Sequence, residues 1–402
     1  MRKIRTAIWI AGFVCAAYFV VGAVVRSRGS GTCVEARRFL RLRNPERARD
    51  TLSWLLWFQP DHPDALHISG LSYLLEKNYP AAINDLSSVP SSADPHRQVQ
   101  TELVAAMLAD YRMEQAEVTL RDHLNRYPDE IEATTQLHRL LLAEWRIDAS
   151  CKLLLDHISH KRFRGWTVEQ QLNMLRMLAK AEFDAAPPDS CIPLLMESFD
   201  HHPDQDSVAL AIGICHWKSG DFDRGRWFLD RTANHSPVLP ERILARAEFQ
   251  IDTDDLAAAE TLLHGLVKTT PQIQSSHDYC RVKSMLEERR GDPEVGLKFA
   301  RQALKLRQHD RAYHARVARL LQKAGEFEKA PEYYERSHVI AQNELALWKL
   351  TRSLPAIPTP EDCRRTSDHY LQLDRPVQAD AWSTIAERLE LHNVDNIGSE
   401  VR

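Results

Sequence analysis

The stretch that decides the fold is DALHISGLSYLLEKNYPAAINDLSSV, residues 64–89. It places the small residues Gly70 and Ala82 one helix apart, and Leu86 follows Ala82 by one helical turn. The same arrangement recurs along the chain in frames of 34 residues. Small residues at fixed places indicate antiparallel helix pairs that approach closely, with a large residue filling the gap one turn on.

The frames begin at residues 29, 63, 97, 131, 172, 206, 240, 277, 311, 345 and 379. Position 8 is small in most frames and departs at Val104 and His138. Position 20 is small at Ala48, Ala82, Ala116, Ser150, Cys191, Gly225, Ala259, Gly296 and Ala330. Position 24 holds Leu52, Leu86, Leu120, Leu154, Leu195, Leu229, Leu263, Ala300 and Tyr334. Position 32 is proline, which ends a helix, at Pro60, Pro128, Pro203, Pro237, Pro271 and Pro376.

This pattern resembles the tetratricopeptide repeat, a helix-turn-helix unit with a 34-residue period. The resemblance implies an all-α fold, a right-handed superhelical solenoid of about ten repeats over residues 33–395. The frame at 345 is degraded, with three prolines between Leu354 and Pro360. The frame at 379 has one helix, which we expect to cap the solenoid through Trp382, Ile385, Ala386 and Leu389. Residues 396–402 are expected to fray.

The N-terminus has a different composition from the rest of the chain. After a basic tail, residues 1–6, residues 7–25 carry no charge and are long enough to span a bilayer as a helix. A Gly/Ser linker, residues 26–32, then leads into the repeats. We expect an uncleaved membrane anchor, the alternative being a cleaved signal peptide. Charge counting on the two sides is close to a draw, and we favour exported repeats over cytoplasmic ones.

The first repeat carries an aromatic group, Trp54, Trp57 and Phe58, on its second helix. A terminal repeat normally presents a polar surface. The residues therefore either pack on the second repeat or rest against the membrane interface, where Trp is enriched.

Composition and motifs argue against several function classes. The net charge is −4, from 52 basic and 56 acidic residues, which gives no case for a nucleic-acid partner. There is no phosphate loop, dinucleotide glycine pattern, G-x-S-x-G or H-E-x-x-H motif. The histidines lack the companion ligands of a closed metal site. Cys191 is interpreted as a small packing residue. We expect no enzymatic activity, metal or cofactor.

The resemblance implies that positions 2, 5, 9, 12 and 13 of each first helix line a concave groove that holds a partner. The groove changes along the chain from apolar to mixed and then to mostly basic. The predicted binding residues are Leu71, Leu74, Leu75, Leu108, Arg139, Arg176, Lys180, Leu210, Ile214, Trp217, Lys218, Arg281, Arg289, Arg319 and Lys323. Such a groove suits a segment with an apolar stretch and an acidic end. The alternative is that some of the apolar residues are core.

The sequence therefore predicts a membrane-anchored, non-enzymatic scaffold that binds a segment of a partner protein in its groove, for complex assembly. Within that groove, we expect Leu210, Ile214 and Trp217 to be the main contact. Two alternatives remain: a recruitment subunit of a separately encoded enzyme, and a secreted protein that binds a surface polymer.

Overall fold

The computed structural model describes residues 29–91, 96–232 and 240–400, and within them all regular structure is helical. This confirms the all-α prediction. A first helix, α1, covers residues 29–41. The others are α2 (Pro45–Phe58), α3 (Pro63–Leu75), α4 (Tyr79–Ser87), α5 (His96–Ala109), α6 (Met113–Arg126), α7 (Ile131–Ala143), α8 (Ile147–Ser159), α9 (Val168–Phe183), α10 (Ile192–His201), α11 (Asp206–Lys218), α12 (Phe222–Arg231), α13 (Pro240–Asp252), α14 (Leu256–Thr269), α15 (His277–Arg290), α16 (Pro293–Leu306), α17 (Arg311–Lys323), α18 (Ala330–Ser353), α19 (Pro360–Gln372) and α20 (Pro376–Glu400).

The helices belong to two compact units. Unit 1 comprises Met1–Leu137 and Asp200–His202, and unit 2 comprises His138–Phe199 and Pro203–Arg402. In each unit, consecutive helices pack as antiparallel neighbours, as α3 does with α4 and α15 with α16.

One turn conformation joins the two helices of most pairs. Position 15 has a positive φ at Arg43, Lys77, Tyr111, Trp145, Gly220, Asp254, Gly291 and Gly325, and Asp374 has one in the turn between α19 and α20. The next residue then donates its backbone N–H to the carbonyl five residues earlier, at 2.8 to 3.0 Å, as Asn78 does to Tyr73. This bond satisfies a carbonyl that the end of the first helix leaves open. Because the same turn recurs, it sets the angle between the first and the second helix in each of these pairs.

The small residues pack as the sequence predicted. All nine position-20 residues, from Ala48 to Ala330, are buried. A Cβ on Gly70, at position 8, would lie 2.6 Å from the side chain of Leu86, at position 24, and one on Gly213 would lie 2.9 Å from Leu229. Glycine at position 8 therefore admits the leucine of the partner helix.

Gly70→Ala tests this contact. An alanine normally stabilises a helix by about 1 kcal/mol relative to glycine, but here overpacking against Leu86 should reverse the sign and cost about 1–3 kcal/mol. The measurement is hydrogen-exchange protection of α3 and α4. In Gly70→Ala/Leu86→Ala the two costs should be less than additive, and additive costs would contradict the contact. Gly265→Ala, with nothing within 4 Å of the added carbon, should be neutral or stabilising.

The departure from small residues at His138 has a local explanation. Its Nδ1 lies 2.7 Å from the hydroxyl of Ser150, the position-20 residue of the same frame, and both residues are buried. A polar pair thus replaces the usual small apolar contact. Burial, aided by the positive charges of Arg139 and Lys180, lowers the pKa of His138 to about 4, so the ring is neutral near pH 7.

The prolines at position 32 mark helix ends in part of the chain. Pro60, Pro128, Pro203 and Pro271 each lie two residues beyond the end of a second helix, as predicted. Pro237 lies outside the described residues. Pro376 differs, because it is the first residue of α20 rather than the stop after a helix. Proline suits that place, since the first helical N–H has no partner within the helix.

The last two frames were assigned wrongly from the sequence. α18 is one helix of 24 residues that runs through the expected break between frames 311 and 345. No glycine or proline lies between Ser337 and Ser353, and Asn343 donates its side-chain amide to the carbonyl of Val339. Pro331 delays the start of α18, which leaves Tyr334 exposed instead of packed at position 24.

The true last pair begins at residue 360. α19 and α20 are joined by the recurrent turn at Asp374, and Ser367, at position 8, donates a hydrogen bond to the carbonyl of Ala379, at position 20. α20 is therefore the second helix of a repeat and not the first helix of a cap. It is helical through Glu400, and the frayed end expected over residues 396–402 stays a prediction.

Unit 2 also contains packing between helices distant in sequence. α20 packs on both α8 and α9, and α18 packs on α9. These contacts bury Trp382, Ile385 and Ala386 in α20. Three of the four expected cap residues are thus buried and Leu389 is half-buried, as members of a second helix held on more than one side.

The predicted anchor, residues 7–25, lies outside the described residues. Among those that are described, no helix combines the length and the apolar character needed to cross a bilayer.

Candidate functional site

In unit 1, the predicted groove face is apolar and open. It is formed by the adjoining first helices α3 and α5. Leu75 is 53% exposed, and Ala105 is exposed as well. Leu71, Leu74 and Leu108 are half-buried. Beside them, His67 and Glu102 join the two helices through a 2.5 Å contact between ring nitrogen and carboxylate.

Trp217, the expected centre of the groove in unit 2, is core. It is only 4% exposed, packs edge to face on Phe249 with ring centroids 5.7 Å apart, and clusters with Leu229. Its indole N–H donates to Asp252 at 3.2 Å. Leu210 and Ile214 pack against the same cluster and are half-buried. The alternative that these apolar residues are core describes Trp217 correctly.

The basic residues of the groove are paired within the chain. Glu248, on α13, accepts a 3.0 Å bond from Lys218 on α11 and a 2.7 Å bond from Arg281 on α15. Burial would raise the pKa of Glu248, but Arg281 and then Lys218 outweigh that effect and hold it below its usual range. Lys218 also lies 3.5 Å from the centre of the Trp217 ring. These contacts link three consecutive first helices.

Glu288, on α15, links that helix to the next first helix, α17, in the same way. It accepts bonds from Arg319 at 2.8 Å and from Lys323 at 2.9 Å. Burial tends to raise the pKa of Glu288, and bonds with these two residues lower it overall. Arg289 lies 3.6 Å from Asp254. Glu248 and Glu288 therefore offset the basic charge of the groove of unit 2 only in part, because each pairs with more than one cation. Both glutamates occupy predicted groove positions, 9 and 12, so their identities in the sequence already carried this signal.

The remaining predicted residues belong to the α7–α9 region of unit 2. Arg176 donates to the backbone carbonyls of Pro355 and Ala356, the latter at 2.9 Å. The segment after α18 thus occupies the space that a partner was expected to fill at Arg176. Arg139 and Lys180 are exposed.

A buried polar cluster, which the frames did not anticipate, holds α19 and α20 against α9. Glu182 accepts bonds from Tyr370 at 3.1 Å and from Gln378 at 3.0 Å, and Arg375 lies 3.5 Å away. Arg375 also contacts Glu344 at 2.8 Å. Burial raises the pKa of Glu182 and raises that of Tyr370 well above its usual value. A carboxylate next to Phe183 in the middle of the chain was a weak sequence signal, because its partners are nearly 190 residues away.

Sequence comparison addresses the family directly. A family model of the tetratricopeptide repeat matches residues 33–90, which include most of α1 and all of α2, α3 and α4. These are two complete helix pairs joined by the recurrent turn. Residues 33–90 match the tetratricopeptide repeat family. No curated protein matches its sequence.

The chain is also similar to three solved structures. MamA, residues 41 to the end, from Desulfovibrio magneticus RS-1 is 14% identical, with 43% of this chain and 96% of that chain covered and a TM-score of 0.33. The Cut9–Hcn1 hetero-tetramer of the APC/C is 11% identical, with 88% and 75% covered and a TM-score of 0.39. PilF from Pseudomonas aeruginosa is 16% identical, with 63% and 96% covered and a TM-score of 0.26. At these scores the functional argument rests on the chain's own residues.

The aromatic group of the first tetratricopeptide repeat is exposed. Trp54 is 67% and Trp57 61% exposed. Their rings meet edge to face at 5.8 Å, and Phe58 lies 4.6 Å from Trp57. The two tryptophans are therefore not buried against the second repeat, which was one of the two alternatives.

Reactive side chains were also considered as sites. Among the described residues, no group of three or more His, Cys, Asp or Glu is placed to hold a metal ion. Cys191 is buried at its packing position, as interpreted, but its thiol is also hydrogen-bonded to that of Cys215. That bond is the main cause that lowers the pKa of Cys191 to about 7. The fold points to a role in protein interaction.

Proposed function

We propose that this protein is a non-enzymatic scaffold, anchored in a membrane by residues 7–25, that binds an apolar segment of a partner protein in the groove of unit 1. The defining surface is formed by Leu71, Leu74 and Leu75 of α3 and by Leu108 of α5. The observation that carries the proposal is the contrast between this open apolar face and the groove positions of unit 2, most of which already contact other parts of the chain.

The contrast follows from the contacts of each group. In unit 2, Trp217 is core, Lys218 and Arg281 share Glu248, and Arg176 binds backbone carbonyls near Pro355. A partner would have to displace those contacts. In unit 1, Leu75 is more than half exposed and its neighbours are half-buried. Burying such a face gains free energy in proportion to the apolar area that leaves water, without a competing internal contact.

The chemistry of this surface restricts the partner. Leucine and alanine side chains on two adjoining helices favour a segment with apolar residues on one side, either extended or helical with anchors three and four apart. An acidic end on the partner, expected from the basic residues of the sequence, would compete with Glu248 and Glu288, which already pair with several of those residues.

The anchor would restrict the search for the partner to the plane of the membrane and raise its effective concentration there. We place the repeats on the exported side, because Arg2, Lys3 and Arg5 form a short basic tail of the kind that stays in the cytoplasm. A reporter that requires an exported environment, fused after Arg402, should then be active. Activity only of a reporter that requires the cytoplasm would reverse the orientation.

The partner site is tested by photo-crosslinking in native membranes. A photoreactive residue at Ala105 of the full chain should give a discrete protein adduct. Leu75→Glu should reduce that adduct by about tenfold or more, because a carboxylate would be buried against apolar residues. Val118→Glu is the matched control: Val118 lies in the same unit, on a second helix, and is 57% exposed. It should leave the adduct unchanged.

An adduct that is absent, or equally reduced by both substitutions, would contradict binding in this groove. Unchanged hydrogen exchange in α3 and α5 of the Leu75→Glu variant ensures that the loss reflects binding rather than unfolding.

A further inference from the structure

We propose that Trp54, Trp57 and Phe58, hereafter the aromatic end, rest in the interfacial layer of the bilayer that holds residues 7–25, so that the first repeat is seated on the membrane and not merely tethered to it. The inference rests on the proposed membrane anchor. It names a second lipid-contacting surface, in the folded repeats.

The aromatic end lies where the chain enters the fold. A Cβ on Gly29, the first described residue of α1, would lie 3.3 Å from Leu55 of α2 and 3.5 Å from His62. Leu55 stands in the same helical turn as Trp54, Trp57 and Phe58. Gly29 and the aromatic end are therefore at the same end of the α1–α2 pair, separated by about one helix diameter, roughly 10–12 Å.

The tether between the apolar run and α1 is short. Four residue steps separate Val25 from Gly29, and a fully extended chain spans at most about 3.3–3.6 Å per step, so the tether is no longer than about 14 Å. The polar headgroup layer on each side of the hydrocarbon core is several ångströms thick, since the core is about 30 Å and the whole bilayer about 40–45 Å. A span ending at residue 25 therefore brings the aromatic end within reach of that layer.

The side chains suit this environment better than water. Tryptophan combines a large apolar ring with one N–H donor, and it is enriched where one side is apolar and the other is wet. Leu55 faces the core of the repeat, while Trp54 and Trp57 face outward at 67% and 61% exposure. The exposed arginines of the turn between α1 and α2, such as Arg43, lie at the opposite end of the pair. The aromatic end would therefore contact the bilayer through its apolar surface and not through charge.

The test uses the full chain labelled with 5-fluorotryptophan in nanodiscs of phosphatidylcholine and phosphatidylglycerol. Fluorine resonances are assigned with Trp9→Phe, Trp54→Phe, Trp57→Phe and Trp227→Phe. A nitroxide in the lipid headgroup should broaden the Trp54 and Trp57 resonances at least about threefold more than that of Trp227, a 55% exposed tryptophan of unit 2. A nitroxide deep in the acyl chains should broaden Trp9, which belongs to the apolar run.

The outcomes separate the two proposals. Broadening of Trp9 without Trp54 and Trp57 would overturn the seated first repeat while leaving the anchor intact. No broadening of Trp9 would overturn the anchor and, with it, this inference. Resonances of Trp54 and Trp57 that shift with protein concentration, and do not respond to the headgroup nitroxide, would show that a second copy covers the aromatic end and would also overturn the inference.

Discussion

Trp217→Ala is expected to destabilise the helix pairs around α11 and α13 by about 3–5 kcal/mol, the usual cost of removing a large buried aromatic side chain. The ring fills a core between Leu229 and Phe249, and its loss also leaves Asp252 without the indole donor. Hydrogen-exchange protection in α11 and α13 should fall by a corresponding amount.

Trp227→Ala is the control, since Trp227 lies in the same helix pair but is 55% exposed. Removing this ring should cost much less stability. Its edge-to-face contacts with Phe199 and Phe228 remove little of its apolar area from water. Equal loss of protection in both variants would contradict the assignment of Trp217 to the core. Partner capture that falls in Trp217→Ala with exchange protection unchanged would restore Trp217 as a binding residue.

Arg375→Ala should release α19 and α20 from α9. Its guanidinium contacts Glu182 and Glu344 and lies over the Phe183 ring at 5.6 Å. Removing it leaves Glu182 buried with hydrogen bonds but no counter-charge, and breaking such a buried pair typically costs about 3–5 kcal/mol. We expect amide protection to fall in α9, α19 and α20 together.

An exposed ion pair between the same regions provides the comparison. Arg164 and Asp380 are 3.1 Å apart, and both side chains are about two-thirds exposed. Solvent screens such a pair, so Arg164→Ala should cost less than about 1 kcal/mol. If Arg375→Ala leaves exchange in α20 unchanged, the polar cluster does not hold these helices. If both variants lose the same protection, burial of the Glu182 cluster is not the reason.

The sequence predicted the repeat correctly where contacts within a single repeat determine the structure. Position 20 is small because helices approach there, and a Cβ on Gly225, at position 20, would lie 3.1 Å from the backbone nitrogen of Trp217. Frames 345 and 379 failed because proline was interpreted as a stop. At Pro376 it begins a helix, and at Pro331 it delays one. The phase of the turn, with Asp374 at position 15, would have given the correct frame.

The groove was predicted less well, because a residue at a groove-lining position is not always accessible to a partner protein. Position alone could not tell that Trp217 has Phe249 beside it, since that depends on the neighbouring repeat. Arg176 was predicted to bind a partner in the groove, but it donates to backbone carbonyls of residues near 355. Contacts over such separations follow from the packed fold and have no local signature.

Because α20 packs on α8 and α9, these two helices cannot complete their contacts until α20 has been synthesised. Most repeat proteins can complete each unit as it leaves the ribosome, because each repeat contacts only its neighbours. Here Glu182 of α9 has its partners Tyr370 and Gln378 almost 190 residues downstream. At about 5–20 residues per second, roughly 10–40 seconds pass before they emerge. During that interval, the surface of α9 around Glu182 is uncovered in the nascent chain. Chaperones or the eventual partner then have their best access to it.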